Sequence, residues 1–287
     1  MTALPRSLGV VGLGLMGASL ARAVRAADPA VRVVAVEPRE ELRARALADG
    51  VADEAHAAPT DALAGCPLVV LCTPVAAIEA LLGPTSARMA DGAVLTDVGG
   101  AKERIVERAR AEARPGVAFV GAHPMFGGHG GYDGAVAAAP RWKGGRVAVC
   151  TDGDPVAVDR VAAFFQALGA RPIRCRAAEH DAAVATVSHL PYLVASALAL
   201  AAREAGPLAE ALAGPGLQDT TRLAQFPFDV QGEVTRRNAH LPGAAAALAR
   251  RLEGLLAAVA SSPEAAREAL EEARQAREAL YPGGSRP

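Results

Sequence analysis

His123 lies in Val120-Gly121-Ala122-His123-Pro124-Met125-Phe126-Gly127, directly after an apolar run with the pattern of a buried strand. An imidazole at a strand end can take a proton from a hydroxyl while a hydride leaves the same carbon. A polar loop histidine with no chemical part is the plain alternative. Pro124 fixes the backbone after it, and Gly127 to Gly134 read as a mobile glycine-rich loop containing Gly128, His129 and Tyr132. His189, in Ser188-His189-Leu190-Pro191-Tyr192, reads equally as a satisfied core histidine or a ligand-binding one. It shares a helical stretch with His180. Nine residues make about 2.5 turns, so the two are expected to point in roughly opposite directions. Arg222 lies in Gln218-Asp219-Thr220-Thr221-Arg222-Leu223-Ala224. Asp219 or Thr220 suits an N-cap, which would put Arg222 in a first helical turn. A cation is unfavourable there unless an anion offsets it. A ligand carboxylate would match the guanidinium fork. A surface arginine, or a pair with Asp219, are the other readings.

These residues need a scaffold, and residues 8–17 define it. The run Leu8 to Val11 breaks into Gly12, Gly14 and Gly17, and a stretch of helical spacing follows through Leu20 and Val24. In this G-x-G-x-x-G, Gly12 makes a tight turn and Gly14 lets a pyrophosphate approach. Gly17 lets helix pack on strand. Leu15, Met16 and the free N–H groups of the helix start would line the anion site. A second strand, Arg32 to Val36, ends at Glu37, where an acid can hydrogen-bond the two ribose hydroxyls of an adenosine. Glu37 would repel a 2′-phosphate and so favours NAD. Arg39 could stack on adenine or bind that phosphate, which keeps NADP open.

Strand patterns at 7–12, 32–37, 68–73, 93–97, 117–122, 145–151 and 171–175 alternate with helical ones at 15–26, 39–48, 75–82, 101–113 and 155–168. Such alternation predicts an α/β fold with a doubly wound parallel sheet, a Rossmann domain over residues 1–175. Ligands of such sheets bind beyond the carboxyl ends of the strands. Thr73, Pro74, Asp97 and Lys102 are therefore candidates for the cofactor cleft. Asp53, Glu54 and His56 read as a solvated loop. Residues 176–281 read as an all-α domain: a long helix 177–204 broken or kinked at Pro191, then 219–225, 229–238, 243–260 and 263–280. Its surplus of Ala and Leu suggests packing across a homodimer interface. Residues 282–287 read as a frayed tail.

Bulk numbers narrow the function. The chain has 287 residues, 51% hydrophobic and 21% charged, with formal net charge −1. That balance argues against nucleic acid or an anionic membrane surface as the main partner. No stretch reaches the roughly 18 uninterrupted apolar residues of a spanning helix. Arg6 and the run after it mimic a signal peptide, but the glycine fingerprint lies inside that run. Four scattered cysteines without a C-x-x-C pair give no expectation of a metal site or disulfide framework. Cys66, Cys72 and Cys150 read as buried small hydrophobes, which fits a reducing cytoplasm.

Taken together, seven motifs in order resemble the prephenate/arogenate dehydrogenase family, the cyclohexadienyl dehydrogenases, over roughly residues 7 to 270. They are Val11 to Ala21, Cys72-Thr73-Pro74-Val75, Thr96-Asp97-Val98-Gly99 with Lys102, and His123-Pro124-Met125. In the helical half they are Glu179-His180-Asp181, Ser188-His189-Leu190-Pro191 and Asp219 to Ala224. The resemblance implies a Rossmann domain paired with a helical dimerisation domain. It also implies oxidative decarboxylation of a cyclohexadienol, prephenate or arogenate, in tyrosine biosynthesis. Hydride would leave ring C4 for NAD while His123 takes or polarises the C4 hydroxyl proton. Arg222 would hold a substrate carboxylate and His189 would contribute to the substrate pocket. Three positions depart from the family's pattern. Gly100 stands for a serine in contact with the catalytic histidine, Gly128 for a hydroxyl residue, and Tyr192 for a histidine. They imply a roomier, less basic pocket near the ring and leave three substrates open: prephenate, arogenate, or an amino analogue such as 4-amino-4-deoxyprephenate. They also leave the orientation of His123 to another group, with a water as one candidate. Two rivals remain. A β-hydroxyacid dehydrogenase or imine reductase shares the two-domain plan. The hydroxyacid branch wants a catalytic lysine in the first long helix, and 177–204 has none. A non-catalytic nicotinamide-binding sensor would explain the lost polar contacts at Gly100 and Gly128.

Overall fold

The computed structural model describes residues 4–127 and 131–281. The chain opens with β1 (Ser7–Val11), α1 (Leu15–Ala27), β2 (Arg32–Val36), α2 (Glu40–Ala48) and β3 (Glu54–His56). It continues with β4 (Leu68–Leu71), α3 (Val75–Ser86), β5 (Val94–Asp97), α4 (Glu103–Glu112), β6 (Ala118–Val120) and β7 (Ala122–Pro124). Strands β1 to β6 form one all-parallel sheet in the order β3-β2-β1-β4-β5-β6. This is a Rossmann sheet, and its order reverses between β1 and β4, where a crevice must open at the strand ends.

Both faces are covered, as near-continuous apolar strands require. Alternation along the strands sorts the core. Leu8, Val10, Leu68 and Val70 face Leu20, Val24, Phe164 and Phe165. Val11, Val69 and Leu71 face Ile78, Leu82, Leu95 and Ile105. Cys66, Cys72 and Cys150 are buried thiols, as expected.

Four local readings change. Glu54 to His56 is the edge strand β3, registered against Val34 to Val36, and not a solvated loop. The run 117–122 divides at Gly121, where the chain leaves one sheet for another. Beyond it, β7 joins β8 (Arg146–Cys150) and β9 (Arg171–Cys175) in a separate three-stranded sheet, with β7 antiparallel to β8. The glycine-rich stretch is loop only in part: Gly131–Ala138 is helix α5. Its Tyr132 is buried, donates to Asp49 at 3.0 Å and lies under the guanidinium groups of Arg22 and Arg45. A 3₁₀ turn, Ala139–Trp142, then buries Trp142, which stacks on Phe165 and donates to Ser19. Gly128 and His129 lie outside the described residues, as does the expected tail from residue 282.

After α6 (Pro155–Ala167) and β9 the chain is helical: α7 (Ala177–Val184), α8 (Leu190–Glu204), α9 (Pro207–Ala211), α10 (Pro215–Thr221), α11 (Glu233–Arg237), α12 (Leu241–Ser261) and α13 (Pro263–Leu280). Between α7 and α8 lies a π turn, Ala185–His189. It ends two residues before Pro191, whose missing N–H and ring cannot continue a regular ladder. The helical run 177–204 is long and apolar enough to cross a membrane by length and composition alone. Its His180, Asp181 and His189 are, however, buried in polar contacts within the protein. Compact units divide after Ala239. The unit from His240 is the hairpin α12–α13. Ser262 caps α13 by accepting from Ala265 N at 3.1 Å.

Candidate active site

Gly12 has φ +96°, and Thr73 and Cys72 press against the place a side chain would take. At Gly17 a Cβ would overlap the carbonyl of Gly12, so helix α1 crosses at the closest possible approach. Gly14, by contrast, has open space where a side chain would be, and it precedes α1 with no side-chain cap. Free N–H groups and the helix dipole therefore face the space that Gly14 leaves open. The Thr73 hydroxyl, at the end of β4, is buried and has no partner among the described residues. Both observations fit a phosphate-bearing dinucleotide.

Glu37 is buried at the end of β2. Its Oε2 accepts from Leu13 N at 2.9 Å, and its Oε1 accepts from Arg39 N at 3.2 Å and Nε at 2.7 Å. Burial pushes this carboxyl up, but the hydrogen bonds from Arg39 and Leu13 outweigh it and hold the group below the usual range.

A cavity of about 810 Å³ runs from this turn past the strand ends into the helical residues before Ala239. Gly14, Leu15, Met16, Thr73 and Pro74 line one part; His123, His189, Tyr192 and Arg222 line another. Of the expected members, the lining brings these nine together; Gly12, Gly17, Glu37, Arg39 and Asp97 are not part of it. Asp97 is fully buried behind the cleft. Its Oδ2 accepts from Gly99 N and from Lys102 Nζ, and its Oδ1 accepts from Ala122 N at 3.1 Å. Lys102 also donates to Ala122 O at 3.0 Å. The ion pair therefore grips both backbone groups of Ala122, next to His123. Its work is positioning, not cofactor contact.

His123 is oriented by residues the sequence did not single out for this task. Its Nδ1 lies 2.9 Å from His180 Nε2, and His180 Nδ1 lies 2.7 Å from Asp181 Oδ1. Asp181 accepts from Lys102 N at 2.8 Å and Glu103 N at 2.9 Å, the first free donors of α4. Burial raises this carboxyl, yet the bonds from His180, Glu103 and Lys102 bring it below its ordinary range. A carboxylate only accepts, so His180 must carry its proton on Nδ1. His180 Nε2 can then accept from His123 Nδ1–H. That leaves the lone pair of His123 on Nε2, the atom nearest Gly100, where a Cβ would sit 3.6 Å away. Burial first, and then the neighbouring His180, Lys102 and His189, push His123 well below the ordinary imidazole value. The ring is a neutral base.

His189 points toward the same site as His180, not the opposite way. The wider π turn between them slows the rotation along the helix. His189 is both a satisfied buried histidine and a cavity wall. Its Nδ1 lies 3.0 Å from Asn238 Nδ2, an amide that also donates to Asp181 O at 2.7 Å. Nε2–H is thereby left to donate to the backbone of Gly100. Burial lowers its pKa.

Arg222 is placed differently from the expectation. Helix α10 starts with Gly214 and Pro215, not at Asp219 or Thr220, and Arg222 is its C-cap. A cation is favourable there, so helix geometry demands no compensating anion; the cavity lining alone makes Arg222 a ligand candidate. The space at Gly100 is not vacant either, since Val234 approaches to 3.2 Å of where a Cβ would be. Tyr192 Oη lies 3.5 Å from Phe226 O, at the limit of a hydrogen bond. Gly128 lies outside the described residues.

Comparison with known proteins matches the chain in two segments. A family model described as prephenate dehydrogenase, nucleotide-binding domain, matches residues 20–174; one described as prephenate dehydrogenase, dimerization domain, matches residues 176–271. A prephenate dehydrogenase of Bacillus subtilis is 28% identical over 222 residues, covering 75% of this chain and 59% of that protein. The crystal structure of Synechocystis arogenate dehydrogenase is similar with TM-score 0.82 and 28% identity, covering 96% of this chain and 99% of the other. Prephenate dehydrogenase from A. aeolicus, in complex with hydroxyphenyl propionate and NAD+, shares the fold with TM-score 0.86 at 22% identity and the same coverage. The chain spans about 60% of the length of the curated prephenate dehydrogenases it matches.

Proposed function

The chain belongs to the prephenate dehydrogenase family, and from that premise we propose that it oxidatively decarboxylates prephenate or arogenate, a step of tyrosine biosynthesis. The observation that carries this reading is the placement of His123 in the cavity wall, with its Nδ1 2.9 Å from His180 Nε2 and that ring 2.7 Å from Asp181 Oδ1.

Bound nicotinamide would supply the hydride acceptor for ring carbon C4. His123 Nε2 takes the proton of the C4 hydroxyl as that hydride leaves, so the oxygen keeps its electrons and C4 becomes a carbonyl. Loss of the ring carboxylate as carbon dioxide then sends an electron pair through the ring to that oxygen. His123 returns its proton there, and a phenol results. The protonated ring exists only between the two steps, which suits an imidazole that resists protonation at rest. Arg222 holds a substrate carboxylate, and His189 and Tyr192 wall the ring.

This assignment makes a pH prediction. His123 must be unprotonated to act, and its pKa lies well below 6.5. The kcat/KM should be level through neutral pH and fall only on the acid side, below the ordinary imidazole value. A profile that keeps climbing through pH 8 would require a different base.

NAD is the proposed cofactor. Gly12, Gly14 and Gly17 seat the pyrophosphate, with Leu15, Met16, Thr73 and Pro74 around it. The buried Glu37 carboxylate at the end of β2 would repel a 2′-phosphate, and Arg39 is already bonded to Glu37. The kcat/KM for NAD should exceed that for NADP at least tenfold; a preference for NADP would reverse the assignment. We also propose a homodimer through the helical residues 176–281. Helix α12 exposes Leu248, Leu252, Leu256 and Val259 along one stripe, an unpartnered apolar face of the kind interfaces use. Light scattering at micromolar concentration should give twice the chain mass, and a monomer would refute it.

A further inference from the structure

Glu79 of α3 is a buried carboxylate that the site described above does not use. Arginines from two other helices meet it. Arg237 Nη1 donates to its Oε1 at 2.9 Å and to its Oε2 at 3.0 Å. Arg104 Nε lies 3.2 Å from Oε1, and Arg108 Nη1 lies 3.8 Å from Oε2. The side chains of Arg104 and Arg108 are exposed, whereas that of Arg237 is only 10% exposed. Arg237 Nε also donates to Glu233 Oε2 at 2.9 Å, one turn back in α11. A guanidinium gripped by carboxylates on two sides has little freedom left.

Helix α11 needs such a hold. Its 5 residues are too few to be stable alone, and the segment before it is a second π turn, Phe228–Gly232. The helix meets the candidate site at two points. Val234 is buried, and its Cγ1 lies 3.2 Å from where a Cβ on Gly100 would be. Asn238, next to Arg237, donates from Nδ2 to Asp181 O at 2.7 Å, and the same nitrogen lies 3.0 Å from His189 Nδ1. An amide nitrogen carries two hydrogens, so it serves both acceptors. Through Arg237 this helix is tied to α3, which starts directly after the cavity residues Thr73 and Pro74.

A neutral imidazole takes the tautomer that its hydrogen bonds select. The Asn238 amide meets Nδ1 of His189 as a donor, which puts the ring proton on Nε2, directed at the backbone of Gly100. That selection lasts only while Asn238 stays within reach. A displacement of α11 by about 1 Å would take this contact past hydrogen-bond range.

We propose that the Glu79–Arg237 ion pair is a positioning clamp: it seats α11 so that Asn238 holds His189 in the Nε2–H tautomer, and with it the substrate wall. The effect on substrate rests on the oxidative decarboxylation proposed above; the tautomer does not. The test is histidine-selective nitrogen-15 NMR of the full chain, with His189→Gln identifying the resonance, beside steady-state kinetics with prephenate and arogenate. The proteins are the parent, Arg237→Met, Glu79→Gln, their double variant and Arg237→Lys. Neither single loss strands a buried charge, because Glu79 keeps Arg104 and Arg108 while Arg237 keeps Glu233. Both variants should therefore fold. His189 should be one tautomer in the parent and a mixture in Arg237→Met and in Glu79→Gln. KM for the substrate should rise about tenfold in both, the worth of one positioned hydrogen bond, with KM for NAD unchanged. The double variant should be no worse than Arg237→Met alone, as for two partners in one interaction. Arg237→Lys, which keeps the charge, should lie closer to the parent. A single His189 tautomer in both variants, or effects that add in the double variant, overturns the clamp but leaves the reaction standing. A tautomer shift in a chain that turns over neither substrate supports the clamp and overturns the reaction.

Discussion

Replacing His123 with Asn is expected to cut kcat by roughly 10²–10⁴, the usual contribution of a positioned acid–base group. Asn keeps a polar side chain of similar reach but cannot hold a proton. Cofactor affinity should be unchanged, because Gly12, Gly14, Gly17 and Thr73 are untouched. Titration of the variant with NADH by fluorescence checks that part. Activity that survives the substitution would remove His123 from the chemistry. Replacing His180 offers a second view of the same network. His180 acts through His123, so its loss frees the His123 ring to choose the other tautomer and removes a group that depresses its pKa. Rate should fall, and the acid limb of the pH profile should move toward higher pH. A merely structural role would lower the rate without moving that limb.

Lys102→Met should give the largest loss of stability. Lys102 and Asp97 are both fully buried and paired with each other. Removing the ammonium leaves a carboxylate in the core with only the Gly99 and Ala122 N–H groups for company. Breaking a buried pair in this way costs about 3–5 kcal/mol. For a chain of this size that is a fall of roughly 6–20 °C in unfolding midpoint. The double variant Lys102→Met with Asp97→Leu should recover much of the loss, because the stranded charge is gone. A double variant as unstable as the single would mean that the ion pair contributes net stability beyond its own desolvation. In that case its grip on Ala122 would be the main term.

Strong local signals made the cofactor half of the site readable. A strand that breaks into three spaced glycines, with an acid after the second strand, fixes a turn by backbone geometry alone. His123 drew notice because it follows an apolar run, but the structure puts it inside β7, in the second sheet. The groups that orient it were not readable in that role. Asp181 meets Lys102 and Glu103 across 79 and 78 residues, and no pattern along the chain reports such a contact. His180 and His189 were misdirected by regular helical spacing, since a π turn adds a residue that periodicity does not count. Arg222 was misplaced because Asp219 and Thr220 imitate an N-cap, whereas Pro215 was the better mark of a helix start. Strand β8 is as apolar as most strands of the main sheet, so composition could not show that it builds a second one with β9. Asp97 had the right address at a strand end, but Lys102 turned it inward.

Under the proposed function, this cleft removes hydride and carbon dioxide from one ring under the control of His123. That reaction is tested most directly by incubating the full chain with NAD and, separately, prephenate and arogenate, measuring absorbance at 340 nm and released carbon dioxide together. The expected result is turnover of at least one substrate with reduced cofactor and carbon dioxide in equal amounts, lost in His123→Asn. Tight cofactor binding with neither substrate consumed, or reduction without decarboxylation, would contradict it.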